Sequence, residues 1–66
     1  EFKARTSGDL AFFSNEQGAI IHVGILANGE NIVHAAGEVR MDEFDSKGIL
    51  SDGNYTHVLD SIRRIS

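Results

Sequence analysis

Residues 20–36, IIHVGILANGENIVHAA, decide the fold. Two runs of β-branched and apolar residues flank an Asn-Gly pair, which is the strongest short-range indication of a β-hairpin in a sequence. Each run carries one histidine, the side chain that changes charge near neutral pH. The stretch therefore predicts an antiparallel hairpin that carries a candidate acid–base pair, His22 and His34.

The length of the hairpin loop determines whether the two imidazoles share a face, because side chains alternate between the two faces along a strand. A two-residue Asn28-Gly29 turn pairs His22 with Ala35 and places the histidines on opposite faces. A three-residue loop that begins at Ala27, with Gly29 in the left-handed region as a G1 bulge, pairs His22 directly with His34. The residues alone leave both registers open.

The composition describes one small folded domain of 66 residues with no proline and 41% hydrophobic residues. The sequence has no cysteine, which excludes disulfides and thiolate metal ligands within it. Six Lys and Arg against ten Asp and Glu give a formal net charge of -4, which argues against nucleic-acid binding through a basic surface. No run of about 18 apolar residues is present, so we expect no membrane span.

The segments outside the hairpin predict further strands. Residues 10–13, LAFF, indicate a strand that joins the hairpin in an antiparallel meander. Residues 38–42 alternate with period two and predict a short strand, whereas residues 43–54 are typical of a loop. The apolar residues between 55 and 65 have helical spacing, so their periodicity favours a helix. Phe2 is the one residue of the N-terminal segment that we expect to be buried.

Both faces of residues 20–26 are apolar, which is typical of a central strand covered on both sides. Ile21, Val23 and Ile25 occupy the face that His22 does not. Few of the 66 residues are left to cover that second face. We therefore expect a further, helical layer to pack there.

The candidate site residues also have ordinary structural explanations. A histidine in an apolar strand is commonly a core residue that burial keeps neutral and one hydrogen bond satisfies. A zinc site formed by His22 and His34 lacks a third ligand, because His57 lies far along the chain and is interpreted as an ordinary strand or surface histidine. We therefore expect no metal and no cofactor. Arg40 and the pair Arg63-Arg64 are candidates for pairing with acidic substrate groups, although solvated faces account for most such arginines.

Four segments, in order, resemble the C-terminal half of the catalytic domain of the NlpC-type cell-wall cysteine peptidases. They are residues 8–13 (GDLAFF), 22–25 (HVGI), 32–40 (IVHAAGEVR) and 61–65 (SIRRI). The resemblance covers nearly the whole chain. It implies an α+β, papain-like fold, of which residues 1–66 form mainly the antiparallel β-sheet half of a single domain. It also implies a strand, and not a helix, at the C-terminal end.

The resemblance further implies a peptidoglycan hydrolase in the bacterial cell envelope, periplasmic or secreted. His22 matches the family's catalytic histidine, and His34 matches the polar triad member that orients it. The implied substrate is a peptidoglycan stem peptide, cut between D-glutamate and a diamino acid. The family's cysteine lies in an N-terminal helical half, which we expect as this chain's partner and without which the chain should be inactive. The alternative is a non-catalytic sheet module that binds muropeptides or a partner protein.

Overall fold

A computed structural model describes residues 5–35 and 37–64, which form six antiparallel strands. The strands are β1 (Leu10–Ser14), β2 (Ile20–Leu26), β3 (Asn31–Ala35), β4 (Val39–Asp45), β5 (Gly48–Ser51) and β6 (Asn54–Arg63). Each strand pairs with the next along the chain, and β6 pairs with β1, so that the sheet closes into an up-and-down barrel. Among these residues there is no helix that could cross a membrane.

The expectation of an α+β, papain-like fold is wrong, because the described residues form an all-β closed barrel without a helix. In an open sheet β1 and β6 would each present an edge of unpaired backbone groups. Here the two edges satisfy each other, with Leu10 paired to Arg63 and Phe12 to Ser61. The register shifts between Phe12 and Phe13, and such a bulge bends a strand and strengthens its twist.

The predicted strands are found, and the structure adds two where a loop or a helix was expected. β1, β2 and β3 form the predicted meander, and β4 extends the predicted short strand to Asp45. Residues 43–54, predicted as a loop, contain β5, and the segment with helical spacing is strand β6 as far as Arg63. The strand implied by the family resemblance is therefore confirmed there, whereas Phe2 and Ile65 lie outside the described residues.

The buried core occupies the inside of the barrel. Its members are Ala11, Phe13, Leu26, Ile32, Phe44 and Ile49, with Leu59 and Ile62 packed against them. Leu26, Ile32, Phe44 and Ile49 lie close to the β2–β3 and β4–β5 connections, which share one end of an up-and-down barrel. The inward positions near the opposite end are therefore available to other side chains.

An apolar patch covers part of the outside of the barrel. This outer apolar face consists of Ile21, Val23 and Ile25 on β2, Val33 on β3, and Val39 and Met41 on β4. Ile21, Val39 and Met41 are each more than half exposed. The second cover expected for β2 is therefore not supplied by the part of the chain that the structure describes.

Candidate functional site

All three histidines of the chain meet at one end of the barrel. His22 lies near the start of β2, His34 near the end of β3 and His57 in the first half of β6. These positions are close to the β1–β2, β3–β4 and β5–β6 connections, which share the end opposite Leu26, Ile32, Phe44 and Ile49. Side chains alternate between the two faces of a strand, so residues two or four positions apart share a face. The three histidines are spaced in this way from inward side chains on their own strands, which are Leu26, Ile32 and Leu59. Each histidine ring therefore points inward.

The hairpin takes neither of the two predicted registers. His34 pairs with Gly24, and Leu26 pairs with Ile32, so the pairing is shifted by two residues from direct His22–His34 opposition. A shift of two residues preserves the face of every side chain. The histidines therefore remain on the same face and meet diagonally, with 2.9 Å between His22 Nε2 and His34 Nδ1.

The side chain of Asn28 explains why the three-residue loop is shifted by one residue from the predicted one. Its Oδ1 accepts hydrogen bonds from the backbone N–H groups of Glu30 (2.8 Å) and Asn31 (2.9 Å), which is an Asx-type turn. The backbone N–H of Ala27 donates to the carbonyl of Asn31 (2.9 Å), so the loop is Asn28-Gly29-Glu30. Gly29 does not take the left-handed conformation, and the predicted G1 bulge is wrong.

Asp42 extends the pair of histidines into a chain of three groups. His34 Nε2 lies 2.7 Å from Asp42 Oδ2, and the His34 residue is only 4% exposed. The hydrogen bond from His34 lowers the pKa of Asp42, and the neighbouring Arg40 guanidinium contributes in the same direction. Arg40 Nε lies 2.9 Å from Asp42 Oδ2, so the arginine considered for substrate binding instead holds this carboxylate.

The Asp42 carboxylate determines which ring nitrogen of His34 and of His22 carries the proton. Because ionised Asp42 only accepts hydrogen bonds, His34 carries its proton on Nε2 and offers the Nδ1 lone pair to His22. His22 then donates from Nε2, which leaves its own Nδ1 as a free lone pair. The arrangement is a base with a fixed tautomer, the property that an orienting partner gives to a catalytic imidazole.

His57 stacks on His22, with ring centroids 4.1 Å apart and an interplanar angle of 19°. Phe13 lies beneath both rings, with centroid distances of 5.9 Å to His22 and 6.0 Å to His57. The interpretation of His57 as an ordinary strand or surface residue missed this placement. The available signal was its alternation with Leu59, which packs on the core.

His22 and His57 favour their neutral forms. Burial is the main cause of the lowered pKa of His22, and the charges of His57 and His34 lower it further. Burial also lowers the pKa of His57, with a second contribution from His34. Both rings are therefore mostly uncharged at pH 7, the form in which an imidazole acts as a base or as a metal ligand.

Comparisons with protein-family models, with curated proteins and with solved structures find no match to this chain. The chemistry of the site therefore has to be argued from its own residues. These are a half-buried imidazole with a fixed tautomer, a buried imidazole and a carboxylate behind it, and a third imidazole stacked on the first. Such a group can accept and return a proton, and its nitrogens can also bind a metal ion.

Proposed function

We propose that this chain supplies the general base and its orienting partners to a cysteine endopeptidase that cuts peptidoglycan stem peptides. The observation that carries the proposal is the hydrogen-bonded series His22–His34–Asp42, with distances of 2.9 and 2.7 Å. The substrate class rests on the resemblance of the four ordered segments to the NlpC-type peptidases. The nucleophile comes from outside these 66 residues, because they include no cysteine.

In the proposed reaction His22 first accepts the proton of the cysteine thiol on Nδ1. The thiolate attacks the carbonyl carbon of the scissile peptide bond, and the imidazolium returns the proton to the leaving amine. Water then loses a proton to the same nitrogen and attacks the thioester carbon, and the cysteine thiolate leaves and regains its proton from Nδ1. The peptide bond is thus replaced by a carboxylic acid and a free amine, and the enzyme returns to its starting state.

His34 and Asp42 act in this proposal as positioning residues. They hold His22 in the Nε2–H tautomer, and the Asp42 carboxylate stabilises the imidazolium through the intervening ring. A neutral histidine next to the base provides orientation with little charge stabilisation of its own. The carboxylate behind it supplies the missing negative charge, which the family resemblance at His22 and His34 did not include.

The stacked ring of His57 limits how the reacting groups approach. It covers one face of His22, so a thiol must reach Nδ1 along the plane of the ring, which is the direction of the lone pair. Phe13 closes the inner side of the two rings. Substrate and nucleophile must therefore reach His22 from the end of the barrel that carries the β1–β2, β3–β4 and β5–β6 connections.

The test uses the cysteine-bearing polypeptide that contains this sequence, assayed on purified stem peptides. His22→Ala should lower kcat about 10²- to 10⁴-fold, which is the usual contribution of a general acid–base group to the rate. His34→Asn should retain part of the activity, because an amide can still orient the ring. Ser46→Ala, an exposed residue of the β4–β5 turn at the other end of the barrel, is the control. Wild-type turnover in the His22 variant would refute the proposal.

The second candidate function is a non-catalytic module that binds muropeptides or a partner protein. The outer apolar face favours it, since a contiguous exposed apolar patch commonly marks an interaction surface. Calorimetric titration of stem peptides into the 66-residue chain distinguishes the two candidates. Tight binding in the absence of any cysteine-bearing segment supports the module, and no binding to the isolated chain supports the peptidase.

A further inference from the structure

We propose that His22, His34 and His57 form a binding site for a divalent transition metal ion such as Zn²⁺. One ring nitrogen from each histidine lies within 4.8 Å of the other two. Three imidazoles with an open fourth position are an established zinc ligand set, and the fourth position then holds water or a substrate atom. The sequence offered no third ligand near the hairpin, and the closure of the barrel provides it.

The geometry identifies the hydrogen bond that the ion would replace. Zinc binds nitrogen at about 2.0–2.1 Å, so two tetrahedral nitrogen ligands lie about 3.3 Å apart. His22 Nε2 and His34 Nδ1 are 2.9 Å apart and share one proton between them. The ion would take the place of that proton while the two rings separate by a few tenths of an ångström. His57 completes the site by leaving its stack on His22 and turning a ring nitrogen toward the ion, because two nearly parallel rings cannot direct their in-plane lone pairs at one point.

Asp42 is a second observation that points to a metal. Metal-bound histidines usually donate their other ring N–H to a carboxylate, which fixes the tautomer and raises the basicity of the ligand. Asp42 Oδ2 accepts this hydrogen bond from His34 Nε2, and the lone pair of His34 Nδ1 therefore faces the proposed ion. Arg40 holds both carboxylate oxygens, with Nε 2.9 Å from the same Oδ2 and Nη2 3.2 Å from Oδ1.

The ring of Phe13 shapes the rest of the coordination sphere. It is fully buried and packs against both His22 and His57. An apolar floor on the inner side leaves the open end of the barrel as the direction for a fourth ligand. That ligand is water in the resting site, and zinc lowers the pKa of such a water to about 7.

Metal binding and the base function exclude each other at His22, a consequence that rests on the proposed peptidase function. A neutral His22 that binds zinc through Nε2 carries its proton on Nδ1. Nδ1 is the atom that must accept the thiol proton in the proposed reaction. Zinc should therefore inhibit the peptidase reversibly, and a chelator should restore its activity.

The binding test uses the untagged 66-residue chain, stripped with a chelator and titrated calorimetrically with ZnCl₂ near neutral pH. We expect one ion per chain and no comparable binding of Mg²⁺, because Mg²⁺ prefers oxygen ligands. Zinc should also shift the ring ¹⁵N resonances of all three histidines. An unshifted ring on any one of them, or the absence of binding, overturns the three-histidine site.

Variants test the roles of individual residues. Asp42→Asn should weaken zinc binding about 10- to 100-fold, as is typical for a carboxylate behind a metal-bound histidine. His57→Gln should weaken it at least as much, with folding checked by its NMR spectrum. Asp60→Asn, an exposed carboxylate on the same strand as His57, is the charge-matched control and should change nothing. Equal affinity in the His57 variant and the wild type would contradict the proposal.

The enzymatic consequence has its own readout. Zinc should abolish stem-peptide turnover by the cysteine-bearing polypeptide, and chelation should restore it. If the chain binds zinc through all three rings while turnover is unchanged, the proposed role of His22 fails and the metal site stands. If zinc does not bind, the metal site fails, whatever the result of the peptidase assay.

Discussion

At the scale of single residues, Asp42 determines which nitrogen of His22 is basic, although the two side chains are not in contact. The carboxylate accepts the Nε2 proton of His34, and His34 in turn accepts the Nε2 proton of His22. A change at the carboxylate therefore passes through two rings. The same logic makes the aspartate of a serine protease triad necessary for the correct histidine tautomer.

Replacing Asp42 by leucine should end the fixed proton order of both histidines. Leucine cannot accept the Nε2 proton of His34, and Arg40 Nε, which loses the same carboxylate oxygen, can donate to that nitrogen and favour the Nδ1–H tautomers of His34 and His22. Long-range ¹H–¹⁵N NMR of the metal-free chain measures both tautomers directly. Asp60→Asn should leave them as in the wild type. A pure Nε2–H tautomer of His22 in Asp42→Leu would contradict the proposed order of hydrogen bonds.

The lowered pKa values of His22 and His57 should make stability depend on pH above the carboxylate range. Burial lowers both values in the folded state below the ordinary 6.5, so the unfolded chain binds more protons. This stability is fully present above pH ~6.5 and is lost as pH falls through the folded pKa values.

Urea unfolding at a series of pH values measures this effect. The lowered pKa values of Asp42 and Asp45 affect stability at lower pH, because both start from an ordinary value of 3.8. The interval between about pH 6.5 and pH 5 therefore reports on the histidines. His57→Gln should reduce the slope in that interval. A free energy of unfolding that is constant there would show that the two rings are not protected from protonation.

The sequence identified His22 and His34 but neither Asp42 nor His57 as part of the site. Local alternation in the hairpin places two histidines on one face whenever the loop has the right parity, so their proximity could be predicted. Asp42 reaches His34 from β4, and His57 reaches His22 only when β6 closes the barrel. Contacts between strands far apart in sequence have no signal in local periodicity.

At the scale of the elements, two turns illustrate which loop signals can be interpreted. Asp52-Gly53 has positive φ at both residues (52° and 80°), the conformation of a two-residue type I′ hairpin. The Asp-Gly pair signalled this turn, but the polar residues around it led to the prediction of a loop. At Asn28-Gly29 the pair was recognised and the turn type was wrong, because the Asn28 side chain bonds the backbone in place of the expected bulge.

Gly48 fixes the approach of β5 to β6, and replacing it should destabilise the barrel. Its φ is 153°, and an added Cβ would overlap the carbonyl oxygen of His57. Gly48→Ala should cost about 1–3 kcal/mol, the usual range for overpacking. For a domain of this size each kcal/mol lowers Tm by about 4–8 °C, which thermal unfolding followed by circular dichroism detects.

The matched control for this variant is Gly18→Ala. Gly18 also has positive φ (83°), but nothing lies within 4 Å of the position that an added Cβ would take, so only backbone strain is added. Gly48→Ala should therefore unfold at a lower temperature than Gly18→Ala. It should also alter the ring resonances of His57, whose carbonyl has to move. Equal Tm values for the two variants would show that the close approach of β5 and β6 is absent.

At the scale of the whole molecule, the difference between a sheet and a barrel depends on a single pairing. The sequence predicted most of the strands, yet hairpin patterns indicate only the pairing of strands that follow each other along the chain. The pairing of β1 with β6 joins the two ends of the described chain. No turn connects these two strands directly, so no turn signal in the sequence indicates that they pair. The helical cover was expected on the outer face of β2, and closure hides only the inner face, so that outer face stays exposed among the described residues.

This closure should be visible in solution as direct contacts between β1 and β6. Cross-strand NOEs should connect Ala11 with Ile62 and Phe12 with Ser61, and the paired amides should exchange slowly with solvent. The Val33–Met41 pair is the internal control, because β3 and β4 are neighbours in an open sheet as well as in a barrel. Control NOEs without β1–β6 NOEs would mean an open sheet. Without closure, β6 loses one of the two strands that hold it, and the stacking of His57 on His22 loses its structural basis. The proposed metal site would then lose its third ligand, while the hydrogen bonds from His22 through His34 to Asp42, which need only β2, β3 and β4, would remain.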